Sequence, residues 1–377
     1  MTESSPLAAV NWLDPQQAMA AVLDVAAQAI GLSDPNPRVG CAIVSPAGEL
    51  LGLGHTQQAG GPHAEVMALR DAQARGQDVQ GATAYVSLEP CSHHGRTPPC
   101  CDALIRSGIA RVVVALGDPN PLVAGQGLAR LRAAGLQVEF GPRAAQAEAL
   151  NCGFMQRMRT GRPYVRLKWA SSLDGRTAHP DGRSQWVTGP AARADGHAWR
   201  KRAGAVLTGI GTVLADDPRL DVREVPSARQ PLRVVLDRQL RLPAQARILQ
   251  GEPILIAHGA GATGTRPDLL DRGVELLELP LNEQGRLDLA VLLDRLGQRQ
   301  INELHVEAGA RLNGSWLAEG RVDELLVYLA PRLLGPGLGC AELPGPVPLN
   351  DAQRWQWIDV SPVGGDLRLR LRRPGSP

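Results

Sequence analysis

The sequence predicts an α/β protein in two domains, and three observations lead there. Short Val-, Ile- and Leu-rich segments of strand length alternate with helical stretches along most of the chain, the pattern of a layered sheet. At 377 residues the chain exceeds one ordinary core and suits two. Residues 142–163 form an Ala-, Arg- and Gln-rich helical stretch that ends in Thr160-Gly161-Arg162-Pro163, after which a new strand pattern begins. The expected domains are therefore residues 1–150 and 151–377.

In the first domain, Asp14 and Pro15 read as an N-cap with proline at the first helical position, opening a helix to about residue 30 that Gly31 stops. Met19, Val22, Leu23, Ala26 and Ile30 recur at helical spacing and give it a buried face. Asp34-Pro35-Asn36-Pro37-Arg38-Val39-Gly40 is a loop stiffened by two prolines, suited to holding a ligand or simply to joining helix and strand. Strands are expected at 40–45 and 50–55, joined by a Pro-Ala-Gly turn. A Gly-rich loop then delivers His63 to the start of a helix reaching about residue 75. A strand over 83–88 runs into Pro90-Cys91, a helix begins near Cys100, and a strand at 111–116, a helix at 128–134 and a strand at 137–140 complete the set.

Past the boundary the alternation resumes with a strand at 164–169, a loop through Asp174-Gly175, and a helix at 190–202. Further strands are expected near 205–208, 232–236, 254–257, 304–307 and 325–329.

Composition narrows the function classes. A formal charge of +2 with both signs dispersed gives no basic stripe, which argues against a nucleic-acid or acidic-membrane partner. Apolar runs such as 325–330 are strand-sized and the first fourteen residues lack a basic, then apolar, leader, so neither membrane span nor signal peptide is expected and a cytoplasmic protein is. Six cysteines are sparse for a disulfide scaffold in a chain of this length and read as thiols available to a metal. Lys168 and Lys201 are the only lysines among 40 basic residues, and a lysine inside a strand pattern of so arginine-biased a chain invites a chemical role.

The chemistry concentrates in two stretches, Pro62-His63-Ala64-Glu65 and Glu89-Pro90-Cys91 through His93, His94 and Gly95 to Pro99-Cys100. One imidazole and two thiolates make a catalytic zinc set that leaves a position open for water. The general deaminase signature is H-x-E followed by P-C-x-x-C, and here eight residues replace the two-residue spacer. Two thiolates neutralise the ion's charge and acidify its water less than histidines would. Glu65, two residues after His63 on the first helical turn, can take the water's proton and hand it to a leaving amine. His63 and Cys100 at helix starts add the favourable end of a helix dipole. Such a site suits hydrolytic loss of ammonia from an amidine-like carbon of a pyrimidine. A sealed structural site with His93, His94 or Cys101 as fourth ligand is the alternative, and spacing alone leaves Cys100 and Cys101 both open.

These residues resemble the RibD family of bifunctional riboflavin-biosynthesis proteins. His63-Ala64-Glu65 with Pro90 through Cys100 looks like its deaminase half; the eight-residue spacer is that family's form and selects Cys100 as the ligand. Pro35 to Gly40 and Asp118-Pro119-Asn120-Pro121 are similar to its flanking loops, which implies a substrate contact at Asn36. Lys168, Ser171 to Thr177, Ser184 to Thr188, Gly211 to Pro218 and Val306-Glu307-Ala308-Gly309 look like its reductase half. The resemblance implies a cytidine-deaminase-like three-layer domain followed by a dihydrofolate-reductase-like domain. It implies zinc-dependent deamination of a diaminopyrimidine ribosylamino phosphate, then NADPH-dependent reduction of the ribosyl group to ribityl.

Carried onto matching positions, the resemblance puts NADPH contacts at Ala170, Trp186, Thr212 and Asp216, and along Gly309, Ala310, Arg311, Leu312, Asn313, Gly314 and Ser315. It puts substrate contacts at Ser184, Arg200, Leu220, Arg223 and Glu307, with Lys168 catalytic beside them. Arg200 and Arg223 would meet a phosphate through the guanidinium fork. After Asp237 the family often has a small hydroxyl where this chain has Arg238. No G-x-G-x-x-G follows an opening strand and no Walker lysine motif is present, so Rossmann and P-loop folds are disfavoured. The partner is then a small phosphorylated pyrimidine, and a homo-oligomer is expected. A deaminase of bases in RNA or DNA, with a non-catalytic nucleotide-binding C-terminal domain, is the alternative, and aromatics at 3% supply few of the stacking groups it needs.

Overall fold

The computed structural model describes residues 9–93, 98–120, 124–251, 254–262, 266–348, 350 and 354–375. The chain forms two compact units that divide after Thr160. The division falls ten residues beyond the expected 150, because Phe154 and Met155 of the helix Cys152–Thr160 are buried in the first unit's core.

The first unit is built on β1 (Gly40–Val44), β2 (Leu50–His55), β3 (Thr83–Val86), β4 (Arg111–Val114) and β5 (Gln137–Phe140). Their order is β2-β1-β3-β4-β5, with β1 antiparallel to β2 and β3, and β3, β4 and β5 parallel. The helices are α1 (Pro15–Ala27), α2 (Ala64–Ala74), α3 (Cys100–Arg106), α4 (Gln126–Ala133), α5 (Ala144–Leu150) and α6 (Cys152–Thr160). Strand alternation sends Cys41, Ile43, Val86, Val112 and Val114 to one face, against Ala68 of α2 and Leu104 of α3. Ala42, Val44, Tyr85 and Val113 face the other way, against Met19 and Val22 of α1. This is a helix-sheet-helix sandwich of three layers. The Asp14 side chain caps α1 by accepting from Gln16 N at 2.9 Å.

One close approach fixes the site. A Cβ on Gly52 would lie 2.2 Å from the Ala68 carbonyl oxygen, and one on Gly54 2.5 Å from Ala68 N. Glycines on β2 and alanines on α2 thus let the helix lie directly on the sheet, which sets the position of its N-terminus and of His63 and Glu65.

The second unit carries β6 (Tyr164–Ser172), β7 (Arg176–Ala178), α7 (Pro190–Arg202), β8 (Ala205–Gly209), α8 (Ile210–Asp216), β9 (Leu232–Leu236), β10 (Ile254–Gly259), α9 (Pro267–Leu270) and β11 (Glu275–Leu279). It continues with α10 (Leu289–Gln298), β12 (Glu303–Glu307), α11 (Ala310–Ala318), β13 (Glu324–Ala330), β14 (Leu338–Gly339), β15 (Gln356–Val363) and β16 (Asp366–Arg372). Nine strands form one sheet in the order β11-β10-β9-β8-β12-β6-β13-β16-β15. The run from β11 to β13 is parallel, and the β15/β16 hairpin adds two antiparallel strands. One face packs Leu167, Leu207 and Val234 against Leu292 and Leu296 of α10 and Trp316 of α11. The other packs Val206, Val235 and Ile256 against Ile210 and Val213 of α8. Among the described residues, no helix is long and apolar enough to cross a membrane.

Two candidate active sites

In the first unit His63 caps α2 and Cys100 opens α3, while Cys91 lies on the loop between β3 and α3. His63 Nδ1 lies 3.6 Å from Cys91 Sγ and 3.3 Å from Cys100 Sγ, and the three ligand atoms all fall within 4.8 Å of one another. A tetrahedral ion with Zn–S of about 2.3 Å and Zn–N of about 2.0 Å separates such nitrogen and sulfur atoms by roughly 3.5 Å, so the cluster fits zinc. The Cys100 thiol holds Cys91 below the ordinary thiol range, and Cys100 is held high in turn. Backbone N–H of Cys100 also donates to Cys91 Sγ at 3.4 Å, as the start of α3 allows.

Glu65 is buried beside this cluster and within hydrogen-bonding reach of Cys100. Burial, with the nearby Cys91 charge, pushes its carboxyl up to about 6, the range in which a carboxyl exchanges protons near neutrality. Cys101 turns away, its thiol directed at the Pro90 and Gly127 carbonyls at 3.3 and 3.6 Å. His93 is exposed, and His94 and Pro121 lie outside the described residues. Asn36 is half-buried in its loop, with its carbonyl accepting from Ser33 Oγ at 3.2 Å.

In the second unit the expected residues gather at the carboxyl ends of the parallel strands, where open α/β sheets bind ligands. Lys168 of β6 is in register with Glu307 of β12, and its Nζ lies 3.4 Å from the Glu307 carboxylate and 5.8 Å from the centre of the Tyr328 ring. Arg200 of α7 meets the same carboxylate through Nε at 2.5 Å and Nη2 at 3.0 Å. Its side-on fork is therefore turned to Glu307 rather than free for a phosphate. Burial works to raise the Glu307 carboxyl, but Arg200 and Lys168 hold it well below the carboxylate range. Arg223 pairs with Asp221 at 2.6 Å, and Leu220 is buried.

Ser184 lies within hydrogen-bonding reach of Asp216, whose carboxyl is raised by burial. Trp186 is 59% exposed, its ring covered by the Arg193 guanidinium at 4.5 Å. Thr212 sits in α8, with its hydroxyl 3.9 Å from where a Cβ of Gly309 would stand, and Ala170 is half-buried on β6. Helix α11 starts at Gly309 with no side-chain cap, so its first-turn N–H groups are available to an anion, and this fits a pyrophosphate-bearing cofactor.

The expected cofactor stretch does not present a single face. Gly309, Ala310 and Arg311 form the first turn, but a helix rotates each residue about 100° and turns the next ones inward. Leu312 packs on Gly209, Asn313 donates to the Cys340 carbonyl at 2.8 Å, a Cβ on Gly314 would collide with Glu342 O, and Ser315 accepts from Arg286 at 2.9 Å. Arg238 donates to the Gly285 carbonyl at 2.6 Å.

Sequence reasoning missed Tyr328, whose ring flanks Lys168 and whose hydroxyl donates to Asp195 at 2.6 Å, and His305, buried 3.4 Å from Glu307. The period-2 spacing of Glu303, His305 and Glu307 along β12 was the available signal for the latter.

A family model described as the RibD C-terminal domain matches residues 163–367, and one described as the cytidine and deoxycytidylate deaminase zinc-binding region matches residues 14–116. The chain is 48% identical to the riboflavin biosynthesis protein RibD of Escherichia coli strain K12, over 94% of this chain and 98% of that one. The chain belongs to the RibD family. A Haemophilus influenzae RibD is 44% identical over 95% and 97% of the two chains. Among solved structures, Acinetobacter baumannii RibD superposes with a TM-score of 0.86 at 45% identity, covering 95% of this chain and 98% of the other. A Thermotoga maritima protein described as diaminohydroxyphosphoribosylaminopyrimidine deaminase/5-amino-6-(5-phosphoribosylamino)uracil reductase gives 0.85 at 31% identity with the same coverage. As a member of the RibD family the chain is a bifunctional enzyme of riboflavin biosynthesis, a zinc-dependent deaminase joined to an NADPH-dependent reductase, and its substrate is a small pyrimidine.

Proposed function

We propose that the two activities reside in the two clusters described, the deaminase in the first unit and the reductase in the second. His63 Nδ1, Cys91 Sγ and Cys100 Sγ would hold the zinc; the 3.3 and 3.6 Å nitrogen-to-sulfur spacings carry this assignment. When bound, zinc supplies a Lewis acid that makes water nucleophilic near neutral pH. Glu65 takes the proton released as water adds to the amine-bearing ring carbon, then passes it to the departing amine, so that ammonia leaves. Its burial keeps bulk water from competing for that proton.

NADPH, when bound in the second unit, would supply the hydride for the first carbon of the sugar, and the first turn of α11 with Thr212 and Trp186 would hold it. Lys168, oriented by Glu307 and the Tyr328 ring, donates a proton to the sugar oxygen as that carbon is reduced. Arg200 keeps Glu307 ionised and in place. Ser184, Leu220 and Arg223 would serve the substrate side and Asp216, beside Ser184, the cofactor side, with Asn36 serving the deaminase.

We further propose a cytoplasmic homo-oligomer. Six cysteines are sparse for a disulfide scaffold in a chain of this length, as suits a reducing compartment, and Trp357 and Val360 stand exposed on the edge strand β15. Sedimentation at micromolar concentration should show more than one chain per particle; a monomer would remove the oligomer.

The deciding experiment is Glu65→Gln. The variant should keep one zinc per chain while ammonia release falls at least about 100-fold. Ammonia release at the parent rate would take Glu65 out of the mechanism.

A further inference from the structure

Glu89 stands two residues before the Cys91 ligand, and neither the zinc cluster nor the proton transfer uses it. Its side chain is buried, with the residue only 4% exposed, yet it is a carboxylate. Four backbone N–H groups from a distant stretch converge on it. Oε2 accepts from Asp118 at 3.2 Å and Gly125 at 3.0 Å, and Oε1 from Gly127 at 3.0 Å and Leu128 at 3.3 Å. Backbone N–H groups at a loop and the opening of a helix form an anion site, and here the chain fills it with its own side chain.

The same junction is closed around the ligand segment. The Pro90 carbonyl accepts the Cys101 thiol at 3.3 Å, and the Cys101 N–H donates to the Cys91 carbonyl at 3.2 Å. Arg130 of α4 donates to the Ser92 carbonyl at 2.9 Å and pairs with Asp102 of α3 at 2.6 Å. Gly127 passes so near that a Cβ there would lie 2.1 Å from the Pro90 carbonyl oxygen.

We propose that Glu89 is a positioning residue of the deaminase centre, joining the Cys91 segment to Asp118 and the start of α4 as one body. It touches neither metal nor substrate; it fixes where the Cys91 segment stands relative to Asp118 and the start of α4. Glutamine has one acceptor oxygen in place of two, so Glu89→Gln strips the partners from one side of the junction and turns an amide N–H toward backbone N–H groups. The inference rests on the zinc assignment made above.

The test uses the full-length chain loaded with cobalt(II) in place of zinc. Glu89→Gln should bind cobalt about 10–100-fold more weakly, shift the thiolate-to-cobalt absorption band, and lose deaminase kcat along with a rise in KM. NADPH oxidation by the reductase half of the same molecules should stay at the parent rate, which shows the second unit intact, and the first unit's calorimetric transition should persist, which shows that unit folded. Glu89→Asp should restore part of the cobalt affinity, as loss of charge alone would not predict. Cobalt affinity and spectrum unchanged in Glu89→Gln would overturn the proposal. Should that variant fail to accumulate, Gly127→Ala carries the test, because its Cβ forces the same junction apart with Glu89 intact; an unshifted cobalt band there also overturns it. A parent chain that gives no thiolate-to-cobalt band would instead remove the zinc assignment itself.

Discussion

Lys168 meets one of its own kind of charge on one side and its opposite on the other: Arg200 and Lys168 share the Glu307 carboxylate, with His305 at 3.4 Å from it. The bidentate Arg200 contact would hold Glu307 in place with Lys168 removed, so a substitution at Lys168 tests the role proposed for the lysine alone. Lys168→Ala should therefore bind NADPH with parental affinity while reductase turnover falls roughly 100-fold or more. Cofactor fluorescence titration and NADPH oxidation measure the two, and parental turnover would remove the lysine from the reaction. At this scale the sequence made some residues legible and hid others. His63, Glu65, Cys91 and Lys168 stand out by type and spacing, and the structure brings His63 and Cys91 together with Glu65 buried beside them. Cys100 and Cys101 did not separate on spacing, because only the helical rotation between neighbours turns one sulfur to the cluster and the other to carbonyls. Glu89 was silent because its partners are backbone N–H groups, which no residue type reveals.

Between the sheet and α7 lies a layer of buried charge. Arg166 of β6 reaches Glu303 of β12 at 2.8 Å and Glu324 of β13 at 3.0 Å, while Arg202 and Arg370 complete the set at 2.8 and 2.7 Å. Trp199 of α7 lies under the Arg166 and Arg370 guanidiniums, 4.5 and 4.8 Å from its ring. Burial acts to raise the Glu324 carboxyl, but Arg166 and Arg370 overrule it and hold the group at about 2 against an ordinary 4.5. A folded-state value below the unfolded one means that the contribution is complete above about pH 4.5 and drains away as the pH falls toward 2. Glu324→Gln should cost the second unit about 3 kcal/mol at pH 7, since it leaves buried guanidiniums short of charge. Its unfolding free energy should also fall less steeply than the parent's between pH 4.5 and 2.5. Urea titrations followed by tryptophan fluorescence read both; parallel acid limbs in the two proteins would place the acid sensitivity elsewhere. Composition alone reads most arginines of so arginine-rich a chain as solvated surface, and Arg166 and Arg233 refute that locally by being buried. The Leu-Arg alternation of β16 and the leucines of α10 at helical spacing were legible signals for elements outside the expected set. For β15 the signal is weaker, because Pro362 interrupts it.

At the scale of the molecule, each unit has cores of its own: Ile43, Val112 and Leu104 belong to one, Leu167, Leu207 and Leu292 to the other. The two-unit plan could be read from the chain, and so could the Gly161-Arg162-Pro163 interruption beside which the units part, although the expected bounds stood ten residues earlier. The burial of Phe154 and Met155 assigns the last helix before that interruption to the first unit. A ligand that binds one folded unit raises the stability of that unit by mass action, about 2.7 kcal/mol at a hundredfold excess over Kd. Zinc should then be linked to the unfolding of residues up to Thr160 and NADPH to the unfolding of those from Gly161 onward. Stripping the metal with a chelator should abolish ammonia release, lower the first unit's melting transition, and leave NADPH oxidation at the parent rate. Adding NADPH to the stripped enzyme should raise only the second transition. Calorimetry of the same sample with and without each ligand resolves the two, and loss of reductase turnover on chelation would show that the zinc site is not confined to deaminase chemistry.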